Sequence, residues 1–423
     1  MYGFDKIIGY EDLKYEMKIV CDSMKNPEKY KKLGAKIPRG IMLYGEPGIG
    51  KSLLAKTFCE ESGRTCFIIR KDRPDGEFVN YIKETFEKAK DSAPSIIFLD
   101  DMDKFSNGDE RHKDAEEYVA VQAGIDTVKD FDVFVISTVN DKYVLPDSLL
   151  RPGRFDKVIE MRCPEGEDAV KIVDFYLKQK QIADDVDARE IANILNGRSC
   201  AELETIVNEA GMYAAFDNRD RITHNDLIRS CLRYIFEAPE MLTATNNEEV
   251  RITAIHEAGH ALVAEILDPG SVNLISVAGY DGNISGITSI HKPAGYRKSK
   301  ELQEHRITGV LAGKAATEIV SGTVDMGVNS DMHRAFDMIE KFVDNVCAYG
   351  FDSFDRHGAS SIPRENRDRM LVREMDKFYQ IAKKTIIENR AFLDAIVEEL
   401  LEKQTLTGRD IARIKTEVYK DVA

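Results

Sequence analysis

Short apolar segments alternate with amphipathic stretches between residues 41 and 161. Short apolar runs indicate strands of a buried sheet, whereas apolar positions three and four residues apart indicate helices. The predicted strands are Ile41–Tyr44, Thr65–Ile69, Ser95–Leu99, Val133–Thr138 and Val158–Met161. The predicted helices are Lys51–Glu61, Glu77–Asp91 and Asp114–Thr127. Because strands and helices alternate, we predict an α/β domain whose mainly parallel sheet is covered on both faces.

Strand patterns disappear after Glu167, and helical periodicity replaces them as far as Phe236. Helices are predicted around Val170–Leu177, over Ala201–Ala215 and over His224–Ile235. This region therefore reads as a small helical domain that follows the sheet. The next segment, 237–247, contains a proline and a polar run, which is typical of a linker.

The remainder of the chain is predicted to be mainly helical, with one hairpin. The predicted helices are Val250–Leu267, Lys300–Ser321, Ser330–Tyr349 and Arg367–Glu402. Ser271–Ala278 and Ile284–Ile290 read as two strands joined by a turn at Tyr280–Asn283. The predicted domain boundaries are therefore 1–163 for the α/β domain, 164–236 for the helical domain, 237–247 for the linker and 248–423 for the mainly α-helical domain.

Composition narrows the functional classes. The 423 residues suffice for two or three domains, and the net charge of −15 argues against a nucleic-acid partner. The seven cysteines are scattered without a CxxC pair, which favours reduced thiols in the cytoplasm. No apolar run approaches the ~18 residues of a membrane span, and the first ten residues lack a signal-peptide pattern. We therefore expect the chain as given to be cytoplasmic. A longer natural form with an N-terminal anchor stays open as an alternative, and such an anchor would place the protein at the cytoplasmic face of the membrane.

The segment from Gly45 to Ser52 matches the phosphate-binding pattern G-x-x-x-x-G-K-[ST], between a predicted strand and a predicted helix. Glycines let backbone N–H groups face the phosphates, and the helix N-terminus adds partial positive charge. Lys51 is predicted to meet the β- and γ-phosphates of ATP, and Ser52 to hold Mg²⁺. The alternative is a glycine-rich turn that matches by chance. The residues predicted to form the loop are Gly45, Pro47, Gly48, Gly50, Lys51 and Ser52.

A second group of polar residues follows the predicted strands. Asp100 and Asp101 end the apolar strand Ser95–Leu99, at the edge where α/β sheets bind ligands. Asp100 is predicted to hold Mg²⁺ through water and Asp101 to orient the attacking water, unless the pair is a solvated acidic turn. The predicted strand Val133–Thr138 is followed by the polar residue Asn140. Two arginines, Arg151 and Arg154, then flank Pro-Gly, as a surface turn or as arginine fingers that stabilise the γ-phosphate.

The sequence His256-Glu257-Ala258-Gly259-His260 lies in an apolar helical run. Side chains four residues apart share one helix face, so the two imidazoles can bind one zinc ion, with Glu257 as general base. Such a site requires a third protein ligand, and the motif also arises in helices by chance. Gly259 costs a helix about 1 kcal/mol relative to alanine, which a close backbone approach would explain. His333, beside the candidate ligand Asp331, is a weaker alternative.

With both sites described, the chain resembles the FtsH-type AAA+ zinc proteases from about Phe4 to Ile414. The matching segments are Ile8–Glu11 beside the adenine, Leu149–Asp156 in the second region of homology, Gly197–Leu203 with Asn208–Ala210 in the lid, and Leu311–Ala316 with Gly327–Asp331 in the protease domain. The resemblance implies a P-loop AAA+ domain with a small helical lid, followed by a mainly α-helical zinc metalloprotease domain.

The resemblance also implies roles for individual residues. Asp331 is the expected third zinc ligand with His256 and His260, and Asn140 the expected sensor of the γ-phosphate. Arg151 and Arg154 are expected to reach the nucleotide of a neighbouring subunit. The implied cofactors are Zn²⁺, ATP and Mg²⁺. The implied assembly is a homo-hexameric ring that unfolds, translocates and degrades unfolded or membrane-protein substrates.

Three features depart from the family pattern. Asp101 stands where the family has glutamate, and its carboxylate is one methylene shorter. The pore-loop segment is shortened, so that Phe78 is the nearest candidate for the gripping residue, or else a helix-packing residue. The chain also begins directly at the ATPase domain, without N-terminal membrane helices. Two rival functions stay open, namely a remodelling ATPase whose protease half is a scaffold and a zinc peptidase with a weak, regulatory ATPase ring.

Overall fold

The computed structural model of the protein describes residues 3–106, 115–151, 153–237, 247–277, 286–290, 299–323, 326–351 and 362–420. The chain divides into two compact units. The first comprises Met1–Ile182 and Gly197–Arg221, and the second comprises Ala183–Asn196 and Ile222–Ala423. The predicted turn at Tyr280–Asn283 and most of the predicted linker lie outside the described residues.

The helices and strands are numbered in chain order. The helices are α1 (Glu11–Lys25), α2 (Pro27–Lys31), α3 (Lys51–Ser62), α4 (Asp75–Asp91), α5 (Glu116–Thr127), α6 (Glu167–Leu177), α7 (Ala188–Ile194), α8 (Cys200–Phe216), α9 (His224–Phe236), α10 (Asn247–Leu267), α11 (Lys300–Ser321), α12 (Asn329–Asp344), α13 (Ile362–Glu388), α14 (Arg390–Lys403) and α15 (Gly408–Lys420). The strands are β1 (Gly40–Tyr44), β2 (Thr65–Ile69), β3 (Ser95–Leu99), β4 (Val133–Val139), β5 (Lys157–Glu160), β6 (Val272–Ser276), β7 (Ile287–Ile290) and β8 (Thr405–Thr407). In the described part of the chain, no helix combines the length and apolar character needed to cross a membrane.

The first unit is built on a parallel sheet with the strand order β2-β3-β4-β1-β5. Its strands differ from the predicted ones by at most one residue at either end. Ile41 packs in a core with Phe58 of α3, whereas Met42 packs in a separate core with Phe86 of α4. Because successive strand residues point to opposite faces, this confirms the predicted α/β sheet with both faces covered.

Phe78 lies near the start of α4, and the structure corrects its expected role as a gripping residue. Its side chain is fully buried, with its ring 5.0 Å from that of Phe105 in an edge-on contact. The ammonium of Lys71 lies 4.9 Å from the centre of the same ring. Phe78 is therefore a packing residue of the first unit, which was the alternative reading of its sequence position.

The second unit combines helices with a small antiparallel sheet. Its strands have the order β7-β6-β8, and β6 pairs with β7 in the predicted hairpin arrangement. Buried residues of α10, α11, α13, α14 and α15 form one core with β6 and β8. The prediction of a mainly helical second half is therefore confirmed.

Several boundaries in the second unit differ from the prediction. The single helix predicted over Arg367–Glu402 is wrong, because α13 ends at Glu388 and α14 begins at Arg390. The intervening Asn389 donates its side-chain amide to the carbonyl of Thr385 at 2.7 Å, which satisfies an end group of α13. The helix predicted over Ser330–Tyr349 already ends at Asp344. The predicted elements also omitted α1, α2, α7, β8 and α15.

Gly259 lies where α10 crosses α11. A Cβ atom at this position would lie 2.5 Å from Cβ of Ala316 and 2.7 Å from the carbonyl oxygen of Ala312. Only glycine permits this separation, which confirms that a close backbone approach explains the residue. The contact holds the helix that carries both motif histidines against α11.

Candidate functional sites: a nucleotide site and a metal centre

The predicted phosphate-binding loop joins the end of β1 to the start of α3. Gly48 and Gly50 have positive φ angles of 77° and 94°, which glycine adopts without strain. The carbonyl of Gly48 accepts a hydrogen bond from the backbone amide of Ala201, in α8, at 3.0 Å. The sequence pattern and the backbone conformation are thus consistent with a loop whose N–H groups surround an anion.

Lys51 is buried at the start of α3, and its ammonium is held by three oxygens. It donates to the carbonyls of Gly45 at 2.8 Å and Glu46 at 2.7 Å, and to Oδ1 of Asn140 at 2.9 Å. Burial lowers the pKa of Lys51, and the charge of nearby Asp101 acts in the opposite direction. The structure therefore brings the predicted lysine and the predicted sensor residue into direct contact.

Asp100 is a buried carboxylate at the end of β3 that makes three hydrogen bonds. Its Oδ1 accepts from Ser52 at 2.6 Å and from Thr138 at 2.9 Å. Its Oδ2 accepts from the guanidinium of Arg70 at 2.7 Å. A hydroxyl and a carboxylate beside a phosphate loop are hard oxygen donors, the type that Mg²⁺ prefers.

Asp101 has a different environment from Asp100. Its backbone is left-handed, with φ at 54°, and its amide donates to the Thr138 hydroxyl at 2.9 Å. Its carboxylate pairs with Lys104 at 2.8 Å. Nearby, the amide of Asn140 donates to Asp103 at 3.0 Å. Sequence reasoning missed Thr138 and Lys104 because neither belongs to a recognisable motif.

The two predicted arginine fingers differ in their contacts. Arg154 donates to the carbonyl of Ser148 at 2.7 Å and to Asp126 of α5 at 2.9 Å. Arg151 is exposed. Among the described residues, neither arginine makes a hydrogen bond or ion pair to the phosphate-binding loop.

The metal centre brings together three side chains from two helices. His256 and His260 lie one turn apart on α10, and Asp331 lies in the first turn of α12. The two histidine Nε2 atoms are 3.0 Å apart and lie 3.0 Å and 3.1 Å from Oδ2 of Asp331. Among the described residues, this is the one group of histidine, cysteine and acidic side chains with metal-ligand spacing, and His333 is not part of it.

These three atoms fit a zinc ion by their chemistry and spacing. Zinc bonds of about 2.0–2.1 Å at tetrahedral angles place ligand atoms about 3.3 Å apart, close to the observed separations. Nδ1 of His260 lies 2.7 Å from the carbonyl oxygen of Gly309, which directs Nε2 toward the other two ligand atoms. Burial alone would lower the pKa of His260, but its hydrogen bond with Asp331 and the carboxylate charge raise it to about 9. Burial alone would raise the pKa of Asp331, but hydrogen bonds from both histidines hold it well below its usual value.

Glu257 is buried beside the histidines and is held by β7. Its Oε2 accepts a hydrogen bond from the hydroxyl of Thr288 at 2.6 Å. A Cβ atom added to Gly286 would lie 2.7 Å from Oε1 of Glu257, so the chain before β7 also passes close to the carboxylate. Thr288 was missed because its link to Glu257 depends on how β7 packs against α10.

Three protein families match successive parts of the chain. The ATPase family associated with various cellular activities (AAA) matches residues 41–163, the AAA+ lid domain matches 185–229, and peptidase family M41 matches 243–414. The ATP-dependent zinc metalloprotease FtsH 2 of a Thermoanaerobacter species is 31% identical over 96% of this chain and 82% of its own length. The chain belongs to the FtsH-type family. The FtsH proteins of Thermotoga maritima and Thermus thermophilus are 31% and 30% identical, over 99% and 97% of this chain and 74% and 70% of their own lengths.

The family membership settles the class of enzyme. This FtsH-type protein is an ATP-dependent zinc metalloprotease with an AAA+ ATPase domain, a lid and an M41 peptidase domain. Its cofactors are Zn²⁺, ATP and Mg²⁺.

Proposed function

We propose that this FtsH-type protein forms a homo-hexameric ring that pulls unfolded or membrane-protein substrates toward its peptidase sites and cleaves them. The observation that supports the proposal best is the convergence of His256, His260 and Asp331 beside Glu257, in a chain whose phosphate-binding loop is complete. All seven cysteines are free, which suits the reducing cytoplasm. The domain boundaries 1–163, 164–236, 237–247 and 248–423 belong to the same proposal.

In the nucleotide site we assign the phosphates to the loop from Gly45 to Ser52. Lys51 compensates the negative charge of the β- and γ-phosphates, and Ser52 and Asp100 hold Mg²⁺. Asn140 contacts the Lys51 ammonium at 2.9 Å, so a change at the γ-phosphate reaches it through one side chain. Asp101 orients the attacking water once its carboxylate leaves Lys104.

In the peptidase site we assign zinc to His256, His260 and Asp331. Zinc bound there supplies a Lewis acid that polarises a peptide carbonyl and lowers the pKa of a water molecule. Glu257 is placed to accept a proton from an attacking water molecule and to return it to the departing amine. The Thr288 hydroxyl holds Oε2 of Glu257 at 2.6 Å, and we assign proton transfer to the other oxygen, Oε1.

We assign Arg151 and Arg154 to the nucleotide of the neighbouring subunit. Arg151 is exposed and can reach a second copy directly. Arg154 can do so only after it leaves Asp126, its ion-pair partner at 2.9 Å. A charge-compensating arginine supplied in trans makes hydrolysis depend on assembly of the ring.

The proposal is tested by comparing the wild-type protein with Lys51→Ala and Glu257→Gln variants on a stably folded substrate and on unfolded casein. We expect Glu257→Gln to stop cleavage of both substrates while zinc is retained. We expect Lys51→Ala to stop degradation of the folded substrate. Wild-type protein that contains no zinc and leaves casein intact would support a remodelling ATPase with a scaffold half. Degradation of the folded substrate by Lys51→Ala at the wild-type rate would support a peptidase with a regulatory ring.

A further inference from the structure

Arg70 is the one cationic partner of Asp100 among the described residues. It directly follows β2, the strand adjacent to β3 in the sheet, so its side chain starts at the same edge as Asp100. The guanidinium lies 2.7 Å from Oδ2 of Asp100. The Asp100 side chain is 2% exposed and that of Arg70 is 57% exposed. The arginine therefore covers a buried carboxylate from the solvent side.

Three hydrogen bonds leave the Asp100 carboxylate one of its four acceptor positions, on Oδ2 beside Arg70. Ser52 and Thr138 occupy Oδ1, and Arg70 occupies Oδ2. A hydrated Mg²⁺ ion that approaches Oδ2 shares this oxygen with the guanidinium of Arg70, whose positive charge opposes the ion. Thr138 is fully buried and also accepts from the Asp101 amide, and Ser52 is fixed at the start of α3. Arg70, with its long and half-exposed side chain, is the donor that can leave at the lowest cost.

We propose that Arg70 is a positioning residue of the ATPase site that competes with Mg²⁺ for Asp100. Its charge keeps the buried carboxylate paired when no cation is bound, and binding of a magnesium nucleotide displaces it into solvent. The inference rests on the proposed nucleotide site. The competition raises the Mg²⁺ concentration needed for nucleotide binding, because part of the binding free energy of the ion is offset by the loss of the Arg70–Asp100 ion pair.

The residues that follow Arg70 are anchored to other parts of the first unit. Residues 70–74 connect β2 to α4, and Arg73 in this connection stacks on Tyr81 of α4 at 4.0 Å. Lys71 is anchored to Glu117 at 3.1 Å and to the carbonyl of Phe105 at 2.7 Å. Because these contacts anchor the neighbouring residues, the proposed displacement involves the Arg70 side chain and not the whole connection.

The test measures binding of a fluorescent ADP analogue to the full chain while Mg²⁺ is titrated. We expect Arg70→Gln to lower the half-saturating Mg²⁺ concentration about tenfold, the order expected for one unit charge beside a divalent cation at a half-exposed site. Arg70→Lys keeps the charge and should stay near the wild-type value. Arg73→Gln is the matched control, since it removes an equal charge three residues away without touching Asp100, and it should change the value less than twofold.

The outcomes separate the competing explanations. Equal Mg²⁺ dependence in wild type and Arg70→Gln would overturn the inference while leaving the nucleotide site intact. Weaker binding of the analogue by Arg70→Gln in EDTA would also overturn it, because Arg70 would then be a phosphate ligand. Absence of nucleotide binding by the wild type at any Mg²⁺ concentration would overturn the nucleotide site itself and this inference with it. Thermal unfolding of Arg70→Gln should shift upward with Mg²⁺ and ADP by more than that of the wild type, which also shows that the variant folds.

Discussion

Gly313 of α11 is predicted to be essential for zinc binding, although it supplies no ligand. A Cβ atom at this position would lie 2.5 Å from Cε1 and Nε2 of His256 and 2.6 Å from Nε2 of His260. Contacts between such atoms normally exceed about 3.4 Å. In Gly313→Ala, the imidazoles or α11 must therefore move by roughly 1 Å, whereas zinc–ligand distances tolerate about 0.2 Å.

The expected result is a loss of zinc affinity of at least 100-fold with only modest loss of stability. Overpacking costs about 1–3 kcal/mol, and replacing a helical glycine by alanine returns up to about 1 kcal/mol. Measured without metal, the free energy of unfolding is therefore expected to fall by about 0–3 kcal/mol. Zinc affinity is measured by competition with a chromophoric chelator, and thermal unfolding is followed with and without zinc.

Gly309 provides the matched control in the same helix. Nothing lies within 4 Å of a Cβ atom added there, and its carbonyl, which faces Nδ1 of His260, is unchanged by the substitution. Gly309→Ala should therefore bind zinc normally and gain about 0.5–1 kcal/mol of stability. Stoichiometric zinc bound by Gly313→Ala with wild-type affinity would refute the steric argument and the assignment of the ligand atoms.

Three further outcomes test other parts of the chain. Asp101→Glu restores the carboxylate length typical of the family, so we expect a several-fold higher steady-state ATPase rate, and an unchanged or lower rate would refute the assigned role. Glu190→Gln should destabilise the protein by about 2–3 kcal/mol at pH 7. Burial raises the pKa of Glu190, but hydrogen bonds, of which that with His224 is the strongest, lower it to about 2 from its usual 4.5. The ionised carboxylate therefore stabilises the folded protein above pH 4.5, and this stabilisation is lost as the pH falls toward 2. Denaturation curves of the wild type and Glu190→Gln should converge in acid. Thr288→Val should lower peptidase kcat about tenfold at unchanged zinc content, with recovery in Thr288→Ser, because only a hydroxyl can hold Glu257.

The sheet of the first unit could be predicted closely because its signals are local. A buried parallel strand is a continuous apolar run, and β1, β3 and β4 each contain one. The edge strand β5 has only two apolar residues and is partly exposed. The helix break at Asn389 could not be predicted in the same way, because apolar periodicity continues across it. The strand β8 has only three residues, Thr405–Thr407, and is defined by its pairing with β6 and not by any pattern of its own.

The sites show the same division between local and spatial information. Lys51 and Ser52 are neighbours in sequence, and His256 and His260 are one helical turn apart, so short motifs identify them. Asp331 lies 71 residues beyond His260, and only the resemblance to the family pointed to it before the structure placed it 3.1 Å away.

In both sites, a carboxylate that is proposed to bind a cation already contacts polar or charged protein groups. Oδ2 of Asp331 lies 3.0 Å and 3.1 Å from Nε2 of the two histidines, and Asp100 accepts from two hydroxyls and Arg70. Such contacts keep a buried charge from being unsatisfied before the ion arrives. At the zinc site the partners of the carboxylate are the other two ligands, whereas at the proposed magnesium site the ion must compete with Arg70, which is not a ligand. A sequence motif identifies the carboxylate or the other ligands, but it does not identify Arg70, whose contact with Asp100 depends on how the strands pair. Arg70 therefore becomes visible only when β2 is placed beside β3, and the magnesium dependence of this ATPase should be set by a residue outside every motif of the family.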